Sequence, residues 1–217
     1  GFLYRVLALG DREITPGART LDEWFIRALA IAGIPAACVL HGYVGFLFGA
    51  IKANPWWSTA LMPVIFLVSA VVSGIAALLV LYLVLSRWRR VVPDAECVRA
   101  LTRCLWISLV LAVSLELLEM IHMAYESGAE WHVISSLLSE KLSVSYGVIQ
   151  LLLGSICPFV LLLIAMQRRI RPAVANILGG TAAVLTLVQV FAMRWNVVVG
   201  GQLFSKSFRG FVEYSVP

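Results

Sequence analysis

The chain has 217 residues, of which 61% are hydrophobic and 13% charged, with a formal net charge of +5. Soluble domains carry about 25% charged residues, so this composition and a mean hydropathy of +0.92 exclude an ordinary soluble enzyme and indicate an integral membrane protein. The excess of Lys and Arg gathers on one side of the apolar segments, a topogenic pattern with no patch suited to nucleic acid.

Crossing a bilayer as helix takes about 20 apolar residues. The chain supplies five such runs, at roughly 28–51, 61–85, 101–125, 144–166 and 173–194. The expected fold is therefore all-α, a polytopic transmembrane helix bundle. Its parts are an N-terminal segment 1–27, a five-helix domain 28–194 and a C-terminal segment 195–217. Arg87 to Asp94 closes the second span, Glu126 to Lys141 forms a polar connection, and Gln167 to Pro172 joins the last two spans.

Cytoplasmic loops are enriched in Lys and Arg. Here 12 of 17 basic residues fall on one side: Arg5, Arg12, Arg19, Arg27, Arg87, Arg89, Arg90, Arg99, Arg103, Arg168, Arg169 and Arg171. The N-terminus is thus expected inside a prokaryotic cell membrane, with segments 52–60, 126–142 and 195–217 outside. An odd number of spans, a first residue Gly1 rather than Met and no signal-peptide pattern lead us to expect a portion of a longer protein. Cys38, Cys97, Cys104 and Cys157 show no CxxC spacing and read as small packing residues.

In the first span, "LHGYVGFLFGAIKANPWW" sets His41 eleven residues before Lys52, about 16 Å below the outer edge. His41 reads as a ligand-facing residue or as packing beside Gly42, Gly45 and Gly49. Gly45 and Gly49 suggest a surface for close helix approach. The second span carries no ionisable residue. In the third, "SLELLEMIHMAYE" repeats Glu116, Glu119 and His122 every third residue, within about 120° of helix arc. Glu116 then lies about 15 Å from the outer edge, level with His41. Glu119 and His122 are closer to the edge, where an interfacial role is the alternative.

The fourth span begins with Tyr146 and Gln150, spaced to share a face, and Pro158 is expected to kink it. Arg194 closes the fifth span, as part of a site or as an interfacial anchor with Trp195. Ionisable groups at membrane depth are costly and mark functional sites. Four spans thus place polar groups at one outer level, while the inner half is almost purely apolar.

This set fits a lipid-soluble quinone, whose ring needs an apolar slot, whose oxygens need a partner such as imidazole and whose protons need carboxylates. The candidate quinone-binding residues are His41, Tyr146, Gln150 and Arg194; the candidate proton carriers are Glu116, Glu119 and His122. Haem ligation by His41, His122 and His132 is disfavoured by their scattered depths, so no haem or metal is expected in this chain.

"LHGYVGFLFGAIKANPWWSTALMPVIFLVSAVVSGIA" and, much later, "FAMRWNVVVGGQLFSKSFRGF" resemble the NrfD/PsrC family of polysulfide-reductase-type membrane subunits, the DsrP-like subunits of sulfur metabolism among them. The two blocks cover about a quarter of the chain, and the spans between them keep the family's order. The resemblance implies a membrane anchor that exchanges electrons between the quinone pool and an iron–sulfur subunit on the outer face, within a complex holding further membrane, cytochrome or catalytic subunits. It implies that His41 lies beside the quinone ring, either menaquinone or ubiquinone, and that the loop carrying Asn54, Trp56 and Trp57 faces the partner. Related alternative-complex-III subunits follow the histidine with an intramembrane Asp; here Gly45-Phe46-Leu47-Phe48 supplies no acid, so a proton path would run through Glu116 and Glu119.

The reading is a quinone/quinol-interacting subunit of a respiratory oxidoreductase complex, not catalytically complete by itself. A proton-conducting or transport module is the alternative, although no ionisable residue continues a relay through the inner half of the spans. A purely structural anchor is the third, and it would make Glu116 dispensable.

Overall fold

The computed structural model describes residues 16 to 203 apart from 52, 53, 55, 58, 127, 128 and 168. Arg5, Arg12, Arg168 and Lys52, used above to judge sidedness and depth, lie outside the described residues, as do Pro55 and Ser58 of the first loop. Its elements are α1 (Pro16–Gly49), α2 (Met62–Trp88), α3 (Ala95–Glu126) and α4 (Ala129–Ser136), then π-helical Leu137–Lys141 and Ser143–Ile156. The chain continues as α5 (Cys157–Ala165), α6 (Pro172–Trp195) and a closing π-helical turn Asn196–Gly200. Five of these stretches are long and apolar enough to cross a membrane: Glu23–Gly49, Met62–Trp88, Ala95–Tyr125, Ser143–Ala165 and Pro172–Gly200. They match the five expected spans, with no strand among the described residues.

α2 and α6 form the centre. α6 packs on α2, α5 and the π-helical segment, while α2 also packs on α1 and α3. Lipid is as apolar as leucine, so helix association in a bilayer relies on close packing and small residues. The main core follows that rule: Val72, Ala76 and Leu79 of α2 meet Leu105, Leu109 and Ala112 of α3, with Leu162, Ala182 and Ala183 alongside.

The expected close approach at Gly45 and Gly49 is present. A Cβ on Gly45 would stand 2.8 Å from the Met62 carbonyl oxygen, and one on Gly49 2.8 Å from that of Thr59, whereas Gly42 has open space. α1 therefore seats on the start of α2. The rest of α1 presents apolar side chains such as Ile31, Val39 and Phe46 to the outside, each at least 60% exposed.

Three local features depart from the expectation. The connection after Glu126 folds as α4 and a π-helical turn, burying Ile134 and Leu137 against Trp56 and Leu142. Its Trp131, Ile134 and Leu138 recur at helical spacing, which the polar residues around them obscured. The fourth span is π-helical from Ser143 to Ile156 and becomes α-helical at Cys157. Pro158, at the start of α5, marks that change of helix type: with no N–H to donate it leaves a carbonyl of the preceding π-helical turn without its helical partner. α2 ends at Arg89 with Arg90 at φ 56°. Arg90 N–H bonds the Arg87 carbonyl and Val91 N–H bonds the Ser86 carbonyl, a Schellman closure with arginine where glycine is usual.

Candidate functional site

At the end of the bundle opposite the arginines of loops 87–94 and 167–172, here the carboxylate end, Glu116 of α3 is held by amides from two other helices. Gln150 Nε2 donates to its Oε2 and Gln189 Nε2 to its Oε1, both at 3.0 Å. Gln150 Oε1 in turn accepts from Asn196 Nδ2 at 2.8 Å, and Asn196 Oδ1 accepts from Ser145 Oγ at 2.5 Å. A directed chain of donors thus runs from Ser145 to the carboxylate. Gln150, Gln189 and Asn196 are buried, with 4%, 1% and 1% exposure. Buried polar groups persist only when hydrogen-bonded; Gln150 and Gln189 converge on Glu116, and Asn196 reaches it through Gln150.

The backbone is shaped to allow this. A Cβ on Gly154 would come within 2.9 Å of Gln189 Cα, so the glycine lets the π-helical segment lie directly against α6. π-helical turns occur often at functional sites. Here Ser155 Oγ bonds the Gln150 carbonyl five residues back at 3.0 Å, in step with the π pattern.

Beside Glu116 lies a cavity of about 30 Å3, walled by Glu119, Met120, Met123, Tyr146, Gln150 and Trp56 among others. By the ~10–15 Å3 that one water needs, it holds about two or three. Two buried polar atoms on this wall, Glu119 Oε1 and Trp56 Nε1, have no hydrogen-bond partner among the described residues. The Thr59 side chain lies within hydrogen-bonding range of Glu119, and Trp56 meets Tyr146 edge to face at 6.5 Å. Carboxylates, a phenol and room for water are the groups that proton transfer uses. Ligand pockets are of about 300 Å3 and more, so a quinone ring does not fit this cavity as it stands.

The candidate residues therefore divide. Glu116, Glu119, Tyr146 and Gln150 come together around the cavity. His122 does not line it. Steps of three residues drift 60° each on an α-helix, so the face that Glu116 shares with Met120 and Met123 has turned about 120° away by His122, which is exposed.

Arg194 also stands outside the cavity. Its Nη2 donates to Ser69 Oγ at 3.2 Å and its guanidinium lies 5.6 Å over the Phe66 ring, facing α2. Phe66 stacks on Phe48, which meets Trp57, so an aromatic column runs from Arg194 to the first loop. His41, half-buried on α1, places Nδ1 2.9 Å from the Ala37 carbonyl. That ring nitrogen donates, leaving Nε2 to accept. One turn before Gly45, His41 is level with the turn of α2 that carries Phe66 and Ser69, because α1 and α2 run antiparallel from the Gly45–Pro63 crossing. His41 and Arg194 thus belong to the α1–α2–α6 side and not to the Glu116 cavity.

The first loop corrects another expectation. Asn54 and Trp56 do not face outward: they are 9% and 6% exposed. Asn54 Nδ2 donates to the Gly201 carbonyl and Trp57 Nε1 to the Val197 carbonyl, both at 2.6 Å, while Asn54 Oδ1 caps Trp56 N–H. Gly201 has no room for a Cβ beside the Trp57 indole. The two sequence blocks singled out above are therefore stitched to each other. Sequence reasoning missed Gln189, Asn196 and Ser145; the available signal was that uncharged amides within spans are also costly unless paired.

Five membrane-length helices enclosing a paired carboxylate define a multi-pass membrane protein with an intramembrane polar centre. The family model described as "Polysulphide reductase, NrfD" matches residues 1–206, and the chain belongs to this family. Over 64 residues the chain is 48% identical to a selenate reductase subunit of Mesobacillus selenatarsenatis. That stretch is 30% of this chain and 15% of the relative's length.

Proposed function

We propose that the chain is a quinone/quinol-interacting membrane subunit of a respiratory oxidoreductase complex, exchanging electrons between the quinone pool and an iron–sulfur subunit at the carboxylate end, which is the outer face. Membership of the NrfD family and likeness to a subunit of a selenate reductase support this class. The single observation that carries the reading is Glu116, half-buried within a membrane-spanning helix and held by Gln150 and Gln189 beside a water-sized cavity. A structural anchor has no need of such a centre.

The roles divide as the geometry does. Oxidation of a quinol releases two protons with two electrons; His41, which the quinol hydroxyl touches, takes them first, and Glu116 and Glu119 of the cavity receive them from there. The ring docks outside that cavity, where His41 Nε2 accepts a hydrogen bond from a quinol hydroxyl. Arg194, over Phe66, balances negative charge. Protons leave at the carboxylate end, because nothing ionisable extends the cavity toward the arginine end within the described core. Trp57 and the aromatic column mark the side on which the electron-accepting subunit docks.

The test is displacement of a fluorescent quinol-site inhibitor from the full subunit in its complex, wild type against His41→Ala. The reading expects affinity to fall at least about tenfold with assembly intact. Unchanged binding assigns His41 to packing and favours the anchor or transport reading.

A further inference from the structure

A second concavity lies at the arginine end, between the last turns of α2 and the first turns of α6. It measures about 670 Å3 and is walled mainly by Leu83, Val84, Ile177 and Leu185, with Arg87 and Asn176 among its polar lining. Gly180 of α6 also lines it, and a Cβ there would stand 3.1 Å from Leu83 Cδ1.

Its size suits a bound small molecule, and its chemistry selects the class. Arg87 is its charged residue, and no carboxylate or histidine lines it to exchange protons with a quinone. Arg87 is exposed, and its guanidinium has no hydrogen-bond or ion-pair partner among the described residues. Arg89 and Arg90 follow it, and Arg171 immediately precedes α6, whereas the nearby Asp94 Oδ1 is engaged by the Glu96 N–H at 2.9 Å. Trp88, 81% exposed, stands at the same level, where indole rings settle among lipid headgroups. Basic pockets between transmembrane helices bind acidic headgroups.

We propose that this groove binds one anionic phospholipid, its acyl chain along Leu83, Val84 and Ile177 and its phosphate on Arg87. The site is independent of the carboxylate cavity and of the quinone reading.

The experiment is native mass spectrometry of the full-length subunit in mild detergent, titrated with phosphatidylglycerol or phosphatidylcholine. Phosphatidylglycerol binds about fivefold tighter in the wild type, the difference expected from about one favourable arginine contact at a membrane surface. The preference disappears in Arg87→Gln, and Thr181→Trp, which fills the groove from an exposed position, weakens both lipids. Equal retention of the two lipids, or a preference that survives Arg87→Gln, overturns the proposal. So does a photo-crosslinker attached at Thr181→Cys that captures a peptide segment in place of lipid. Should Thr181→Trp fail to fold, Arg87→Gln decides alone.

Discussion

Through its middle the bundle buries Val72, Ala76, Leu79, Leu105, Leu109 and Ala182, while toward the carboxylate end the same helices bury Gln150, Gln189 and Asn196 around Glu116. The first region is held by shape, since an apolar side chain gains little by leaving lipid for protein. The second is held by directed hydrogen bonds that only one register of three helices satisfies. A membrane bundle can be assembled from the first kind of contact alone, so the second kind marks where the chain spends stability on chemistry.

That contrast is broken most sharply at Gly154, where the two kinds of contact meet. Gly154→Ala drives a methyl into Gln189, so the helices must separate and the amide must leave Glu116. An overpacked core site costs about 1–3 kcal/mol. Thermal unfolding of the detergent-solubilised subunit should show a loss of about 2 kcal/mol. The control is Gly147→Ala on the same segment, where a Cβ meets nothing within 4 Å, and it should be near neutral.

Gln189→Leu sharpens the comparison by removing one donor and keeping bulk. Interhelical hydrogen bonds in membranes average about 0.6 kcal/mol, up to about 1.7, so unfolding stability should fall by about 1 kcal/mol. Quinol-dependent turnover should drop further than this modest loss explains. If stability falls and turnover holds, the polar region is structural after all.

The smallest effect belongs to the arginine end. Arg90 occupies a left-handed conformation at φ 56°, which costs a non-glycine residue about 1 kcal/mol. Arg90→Gly should raise the unfolding midpoint slightly and leave inhibitor binding at the carboxylate end unchanged.

The five spans were legible because apolar length is an additive property of sequence, and Glu116 because a carboxylate at that depth has few innocent explanations. The close approach at Gly45 and Gly49 could also be read, since small residues at i,i+4 have one common use in membranes. His122 was over-read: a three-residue repeat looks like a face, but its drift of 60° per step becomes decisive by the second repeat. The outward placing of Asn54 and Trp56 comes from the family resemblance alone, which carries over a loop without its packing. Asn54 is tied to Gly201, 147 residues away, and Trp56 packs against Ile134, Leu137 and Leu142; no local pattern encodes such pairings. Gln189 and Asn196 were passed over because neither is ionisable, although an unpaired amide in hydrocarbon is itself costly.

The most direct test of the central claim is quinol-driven reduction of the complex's acceptor by Glu116→Gln against wild type, with assembly and inhibitor binding checked in the same preparation. Glutamine keeps the size and one acceptor oxygen but carries no proton. If the buried carboxylate receives the protons of quinol oxidation, turnover falls by at least about 10²-fold while inhibitor affinity at the His41 side is retained. Wild-type turnover in an assembled Glu116→Gln complex would contradict the account and leave the polar network as a structural tie between α3, the π-helical segment and α6.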